Sequence, residues 1–349
     1  MTHLHFGAGA LGRGLVLPRI VSAGGDVEVA DTDAALISRL RRDEGYTLEI
    51  VGDEGCWTEF IPIRAAHLIG EDTVDLGKAI EDADVVTTSV QVGNLTGVVD
   101  RLAPVWQRGP ERARVIVGCE NLHNVGAHIA GLFDRAGGVA GLKCPDCVVD
   151  RICATSADGA TIETEDYSEW VVDGDMDLRG PDRVANVDGL FFRKRYLVNT
   201  LADSCAFVGQ SRGFGYLYAA VSDPKVRDTV APLIDMLCKH LVDRFDYSLQ
   251  EIVEYRDKSI ARLSLSGISR RIETVARDPW RKFAPDERFL EPMVAYRAAG
   301  GDINEALSAL AAILRGIEPD PEILSERLTK LWAGTQAAPL VEQVVETVR

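Results

Sequence analysis

From Leu4 the chain opens on a short apolar run to Phe6, breaks on glycines, and resumes as an apolar-periodic stretch to about Ala23. A second run, Val27 to Ala30, closes on Asp31. This pattern predicts a strand, a glycine turn, a helix and a second strand. Further strand signals fall at Thr47 to Val51, Val85 to Val90, Val115 to Val117, Val148 to Ile152 and Trp170 to Val172. Helical periodicity lies between several of them, around Asp33 to Arg42, Val74 to Glu81 and Leu95 to Trp106. Such alternation predicts a mainly parallel sheet wound on both sides. Past the polar stretch Gly174 to Asp188 the strand signals vanish. Helical patterns then dominate, as in Pro224 to Phe245, Leu249 to Leu263 and Asn304 to Arg315. We therefore expect an α/β domain over residues 1–187 and an all-helical one over 188–349.

Composition narrows the function classes. With 46% hydrophobic and 26% charged residues the chain has an ordinary globular mix. Its formal net charge of −16 disfavours a general phosphate-backbone binder, so no nucleic-acid partner is expected. No apolar run reaches the roughly 18 residues of a membrane span, and no signal-peptide pattern opens the chain. Seven scattered cysteines suit reduced thiols, and together these features predict a soluble cytoplasmic protein. The pair Cys144-Pro-Asp-Cys147 has no second ligand pair at zinc spacing, so it is read as incidental and no metal is expected.

The glycine turn is the strongest chemical signal. In Gly7-Ala-Gly9-Ala10-Leu11-Gly12, the first glycine makes the tight turn, the second lets a pyrophosphate approach, and the third lets helix and strand pack closely. Backbone amides from Ala10 and Leu11 onward, at the start of a helix, would face the phosphates. Asp31 follows about 20 residues later at a strand end, where a carboxylate accepts from ribose hydroxyls and repels a 2′-phosphate. NAD is thus the expected cofactor, on a Rossmann-type doubly wound sheet followed by an all-helical C-terminal domain. Two further strand ends carry polar groups suited to that site, Asn94 after the Val85 run and Glu120 after the Val115 run.

In the helical half, one helix is expected from near Gly189 to Phe207, capped by Asp188 and ended by Gly209. It carries Arg193-Lys194-Arg195 between Phe191-Phe192 and Tyr196-Leu197-Val198, with Asn199 beyond. A lysine among cations and apolar groups is biased toward its neutral form, the form a general base requires.

Taken together, Gly7 to Gly14, Cys119-Glu120-Asn121, Val149-Asp150-Arg151-Ile152, Tyr167-Ser168-Glu169-Trp170, Lys194 with Asn199, Arg270-Arg271 and Pro279-Trp280-Arg281-Lys282-Phe283 resemble the polyol-specific long-chain dehydrogenases. Among these, the members acting on mannitol 1-phosphate are the most similar in pattern. The resemblance implies an NAD-dependent, metal-independent enzyme interconverting a secondary alcohol and a ketone on an open-chain polyol or sugar phosphate, working as a monomer or homodimer. It makes Lys194 the base, Asn199 a donor to the reacting oxygen, Asn121 another active-site asparagine, and Asp150 an acidic neighbour. Mannitol 1-phosphate and fructose 6-phosphate are the expected pair, and Arg262, Arg270, Arg271, Arg281 and Lys282 could supply cations for a phosphate.

The chain departs from the family pattern at Ala202, where a histidine is usual, at Ser264-Leu265-Ser266-Gly267, where an Asn-Pro pair is typical, and at Cys153-Ala154. On an α-helix Asn199 would sit about 140° around from Lys194 and position 202 about 80°, between them in projection. Two alternatives follow from that alanine: the same chemistry on another polyol or a cyclitol, or a nucleotide-binding protein without turnover.

Overall fold

The run His-Leu-His-Phe becomes strand β1 (His3–Phe6), buried at all four positions because both faces and both edges are covered. A computed structural model describes residues 2–348 apart from 53, 54, 111, 157, 158, 160 and 175. Residues 1–188 and 189–349 form two compact units.

In the first unit, β1 pairs in parallel with β2 (Val27–Asp31) on one side. Of the other early strands, β3 (Gly45–Gly52) and β4 (Gly55–Pro62) lie elsewhere, whereas β5 (Ala65–Leu68) extends the sheet beyond β2. On the other side of β1 stand β6 (Val85–Thr88), β7 (Arg114–Gly118) and the two-residue β8 (Leu142–Lys143). The order β5-β2-β1-β6-β7-β8 is, counted along the chain, the 3-2-1-4-5-6 order of a doubly wound sheet. Its connections reverse direction between β1 and β6, which opens a crevice beyond the carboxyl ends of those strands.

Not every strand signal joins that sheet. The Thr47 to Val51 run lies in β3, which pairs with β4 and with β11 (Ile162–Glu165), itself paired to β10 (Cys153–Thr155). The Val148 and Trp170 runs lie in β9 (Cys147–Asp150) and β12 (Glu169–Asp173), joined by β13 (Asp182–Val184) in a three-stranded sheet. The Val85 run ends as a strand at Thr88, two residues sooner than its hydrophobicity suggests.

A proline shapes the helix after the glycine turn. Its middle, Gly12–Val16, is a π-helix, and Leu17 N–H closes on Gly12 O. Pro18 has no N–H, so the carbonyls of Arg13 and Gly14 lose the partner it would have supplied. Tyr46 Oη donates to Arg13 O at 2.6 Å and Arg151 Nη1 to Gly14 O at 2.7 Å. Arg151, which the resemblance groups with Asp150, is therefore a structural donor to this helix.

The second unit is helical. Asp223 caps Pro224–Arg244 by accepting from Val226 N–H, with proline at the first position where its missing donor is harmless. Ser248 and Glu251 form a capping box at the start of Leu249–Leu263. Helix Asn304–Ile317, with Leu307, Leu310 and Leu314 buried, packs against the helices Pro224–Arg244 and Leu340–Val348. Gly209 does not end its helix, which runs on to Ser211. A Cβ at Gly209 would lie 2.6 Å from that of Ala220, so this glycine serves close helix packing.

Candidate active site

At the switch point of the parallel sheet, the turn after β1 meets the loop after β6. Gly7 has φ +98°, and a Cβ on it would lie 2.5 Å from Ser89 O. Gly12 is as tightly placed, 2.4 Å from Gly7 O by the same measure, whereas a Cβ on Gly9 would meet nothing within 4 Å. Ala10 and Leu11 begin the helix behind the turn. Asp31, at the end of β2, reaches back to the turn: Oδ2 accepts from Ala8 N–H at 2.6 Å and Oδ1 from Asp33 N–H at 2.9 Å. A carboxylate retains further lone pairs after two such bonds. Together Gly7, Gly9, Asp31, Ser89, Gln91 and Asn94 help to line a cavity of about 420 Å³. The aligned strand ends, the open Gly9 and the carboxylate at β2 fit the adenosine and pyrophosphate of a dinucleotide. A wider polar groove of about 660 Å³ follows the β5 edge, where Glu28 pairs with Arg64 and His67 and Arg41 with Asp72. Those five charges pair among themselves, and the glycine turn is not part of the groove.

His5 stands under the turn and was not singled out by its sequence context. Its Nε2 lies 2.9 Å from both Gly7 O and Ser89 Oγ, and Nδ1 lies 2.7 Å from Thr87 Oγ1. A carbonyl only accepts, so Nε2 carries the proton and Nδ1 accepts from threonine. Burial pushes His5 down to about 4, and His3 on the same strand to about 4 as well. Because the folded value lies below the unfolded 6.5, the unfolded chain takes up protons first as the pH falls. Stability therefore declines from about pH 6.5 to about pH 4. From pH 7 to pH 5, His5 alone accounts for about 2 kcal/mol of that loss. Urea midpoints of wild type and His5→Gln at both pH values check this: the variant should lose that part of the slope, and parallel slopes would refute it.

The loop after β6 is held from below. Glu120 is 6% exposed; Oε1 accepts from Thr88 Oγ1 at 2.9 Å and Val90 N–H at 2.8 Å, and Oε2 from Gln91 N–H at 3.0 Å. Burial pushes this carboxyl above its ordinary value, against the pull of those donors. Glu120, expected at the cofactor, does not line the cavity. Gln91 does, with φ 71° and ψ 143°, a conformation that strains a non-glycine residue by about 1–3 kcal/mol. Asn94 Nδ2 donates to Val90 O at 2.7 Å, fastening the far side of the loop. Asn121 is exposed in the turn after β7, and Asp150 is buried at the end of β9.

In the second unit Lys194 and Asn199 lie on one helix, both half-buried. Its backbone is α-helical over Asp188–Lys194, π-helical over Arg195–Thr200 and α-helical again over Leu201–Ser211. Thr200 Oγ1 donates to Arg195 O at 3.0 Å, across the wide turn. A π-turn closes each carbonyl on the amide five residues later, so positions 194 and 199 turn toward a common face. The 140° separation of a regular α-helix, and with it the projection of position 202 between them, does not apply. The flanking cations are engaged: the Arg193 guanidinium lies 4.0 Å from the Tyr255 ring centroid, and Arg195 Nη2 3.0 Å from Glu287 Oε2.

The basic residues of the helical unit differ in setting. Lys282, 5% exposed, donates to Asp203 Oδ1 at 2.8 Å and to Val275 O at 2.5 Å. Arg288 Nη1 donates to Asp203 Oδ2 at 3.2 Å, so this carboxylate holds two cations. Lys282 is thus an interior cation and Asp203 is occupied. Arg281 is exposed and pairs with Glu287 at 3.0 Å, Arg271 is exposed, Arg270 is half-buried, and Arg262 is buried near the end of Leu249–Leu263. Cys144 is half-buried with its thiol pushed up to about 12 by burial, and Cys147 Sγ donates to Gly118 O at 3.0 Å. Among the described residues no group of three or more His, Cys, Asp or Glu could hold a metal ion.

Two family models match the chain, the mannitol dehydrogenase Rossmann domain over residues 1–182 and the mannitol dehydrogenase C-terminal domain over 186–323. A mannitol-1-phosphate 5-dehydrogenase of Bacillus licheniformis is 31% identical, over 84% of this chain and 82% of that protein. Another, from Emericella nidulans, is 27% identical over 98% and 93%. Pseudomonas fluorescens mannitol 2-dehydrogenase, solved as a ternary complex with NAD and D-mannitol, aligns with TM-score 0.75 at 16% identity, covering 100% of this chain and 90% of that one. D-sorbitol dehydrogenase in substrate-free form gives 0.74 at 16%, covering 99% and 91%. At those identities the structural likeness is one of fold.

Proposed function

The chain belongs to the mannitol dehydrogenase family, and from that premise we propose that it is an NAD-dependent oxidoreductase converting a polyol secondary alcohol to the ketose and back. The observation that carries this reading is the switch-point cradle, with Gly9 open to the cavity and Asp31 at the neighbouring strand end. Gly7, Gly9, Ala10, Leu11, Gly12 and Asp31 would hold NAD, which supplies the hydride acceptor for the alcohol. Lys194 takes the hydroxyl proton as general base. Asn199, five residues on across the π-turn, donates to the oxygen as its charge changes. Asn121 and Asp150 remain candidates on the strength of the family pattern, and no metal takes part.

The substrate pair we propose is mannitol 1-phosphate and fructose 6-phosphate, as the names of the two curated relatives suggest. Arg262, Arg270, Arg281 and Lys282 remain the cations we propose for a phosphate, on the strength of the family pattern, and of these Arg281 and Lys282 also pair with carboxylates. A second reading rests on Ala202 and Asp203. The alanine stands where the family histidine would, and the adjacent carboxylate is bound to Lys282 and Arg288, so it offers no substitute. That combination favours the same chemistry on a different polyol or cyclitol.

One panel decides between them, with NADH or NADPH absorbance followed over free and phosphorylated polyols supplied with NAD or NADP. We expect oxidation of mannitol 1-phosphate, with kcat/KM for NAD at least about tenfold above that for NADP, since Asp31 repels a 2′-phosphate. Faster turnover of another polyol would establish the second reading. NADH binding without any turnover would overturn both readings and leave a protein that binds nucleotide without catalysis.

A further inference from the structure

Three donors, from positions 88, 90 and 91 around the end of β6, converge on one buried carboxylate. Thr88 Oγ1 and Val90 N–H share Oε1 of Glu120, and Gln91 N–H takes Oε2. The two backbone donors belong to the loop whose next turn forms the cavity wall, while Glu120 lies outside the cavity lining. Gln91 has a positive φ there, and its side chain makes no cap hydrogen bond to the short helix Val92–Asn94. Its peptide is held by Glu120 on one side, and the preceding carbonyl by Asn94 on the other.

We propose that Glu120 is a positioning residue for the dinucleotide: its two oxygens fix the peptides of Val90 and Gln91, and so set the cavity wall opposite the glycine turn. The proposal rests on the reading of that cavity as the NAD site. A carboxylate suits the task because both oxygens accept. A glutamine would offer one oxygen and turn its NH2 toward an N–H, setting donor against donor. An aspartate keeps two acceptors but retracts them by a methylene.

The test measures NADH affinity by fluorescence titration, alongside melting temperature and the KM values. Glu120→Gln should raise the NADH Kd at least about tenfold and raise KM for NAD, with KM for the polyol changed less than about threefold. Glu120→Asp should fall between wild type and Glu120→Gln, and it carries the test alone if the glutamine variant does not fold. Glycine tolerates the backbone of position 91, so in a Gln91→Gly background the Glu120→Gln change should weaken binding by less than about threefold.

Wild-type affinity in Glu120→Asp or Glu120→Gln would overturn the proposal. So would an equal loss with and without Gln91→Gly, because Glu120 would then not act through that peptide. Failure of the unsubstituted chain to bind NADH would overturn the NAD reading together with this proposal. Binding by wild type and by Glu120→Gln alike would overturn this proposal alone.

Discussion

In a Lys194→Ala variant, polyol oxidation should fall by about 10²–10⁴-fold, the usual contribution of a positioned acid–base group. The NADH Kd should stay within about threefold, since the cradle is built from the glycine turn and the ends of β1, β2 and β6. Lys194 stands between two arginines that are already engaged, one against Tyr255 and one with Glu287. A guanidinium does not give up its proton, so the lysine is the member of the basic triplet suited to proton transfer. Lys194→Arg separates charge from basicity: a guanidinium keeps the positive charge but does not give up its proton, so this variant should be as slow as alanine. The pH profile supplies an independent readout. The limb of kcat/KM governed by the base should vanish in both variants. Retention of more than about a tenth of wild-type turnover by Lys194→Ala would remove lysine from the mechanism.

Asp203→Ala should lower stability by about 3–5 kcal/mol, because it strands the interior Lys282 and takes from Arg288 one of its two carboxylates. The three groups are close to fully enclosed, with Asp203 and Lys282 each 5% exposed and Arg288 8%. Asp203 faces both cations, and burial holds the Lys282 ammonium below its ordinary value despite the carboxylate. Removing Asp203 leaves Lys282 only the Val275 carbonyl among these partners. The melting temperature should drop by roughly 10 °C or more, on the usual scaling for a unit of this size. Asp203→Asn should cost less, since its amide oxygen can still accept from one cation. A loss below about 1 kcal/mol in Asp203→Ala, measured by urea unfolding, would show that water reaches the cluster.

What the sequence shows plainly is whatever is encoded locally. The turn after β1 needs glycine at particular offsets, and Asp31 follows at the spacing of one strand–helix–strand unit, so both stand out in the chain. Helix Leu249–Leu263 is readable at its start, which Ser248 and Glu251 announce. Strands that depend on distant partners are harder to read. Only Ile61 of β4 is buried, so this strand shows no apolar alternation, and its pairing with β3 must supply the order. Neither π-turn is readable from periodicity, since each adds a residue without altering which side chains are apolar. The partners of Glu120 and Asp203 are equally hidden, because they arrive from about 30 residues earlier and about 80 later. In both cases the carboxylate is visible in the sequence and its role is set by the donors the fold delivers.

The proline in the first helix has a consequence for how the chain is made. Arg151 donates to the carbonyl of Gly14 from well over a hundred residues further along, so the opening helix of the nascent polypeptide emerges from the ribosome without that bond. An unpaired carbonyl shut away from water is unfavourable, which keeps that segment hydrated or loosely packed in the meantime. The part of the protein synthesised first is in this respect among the last to be completed.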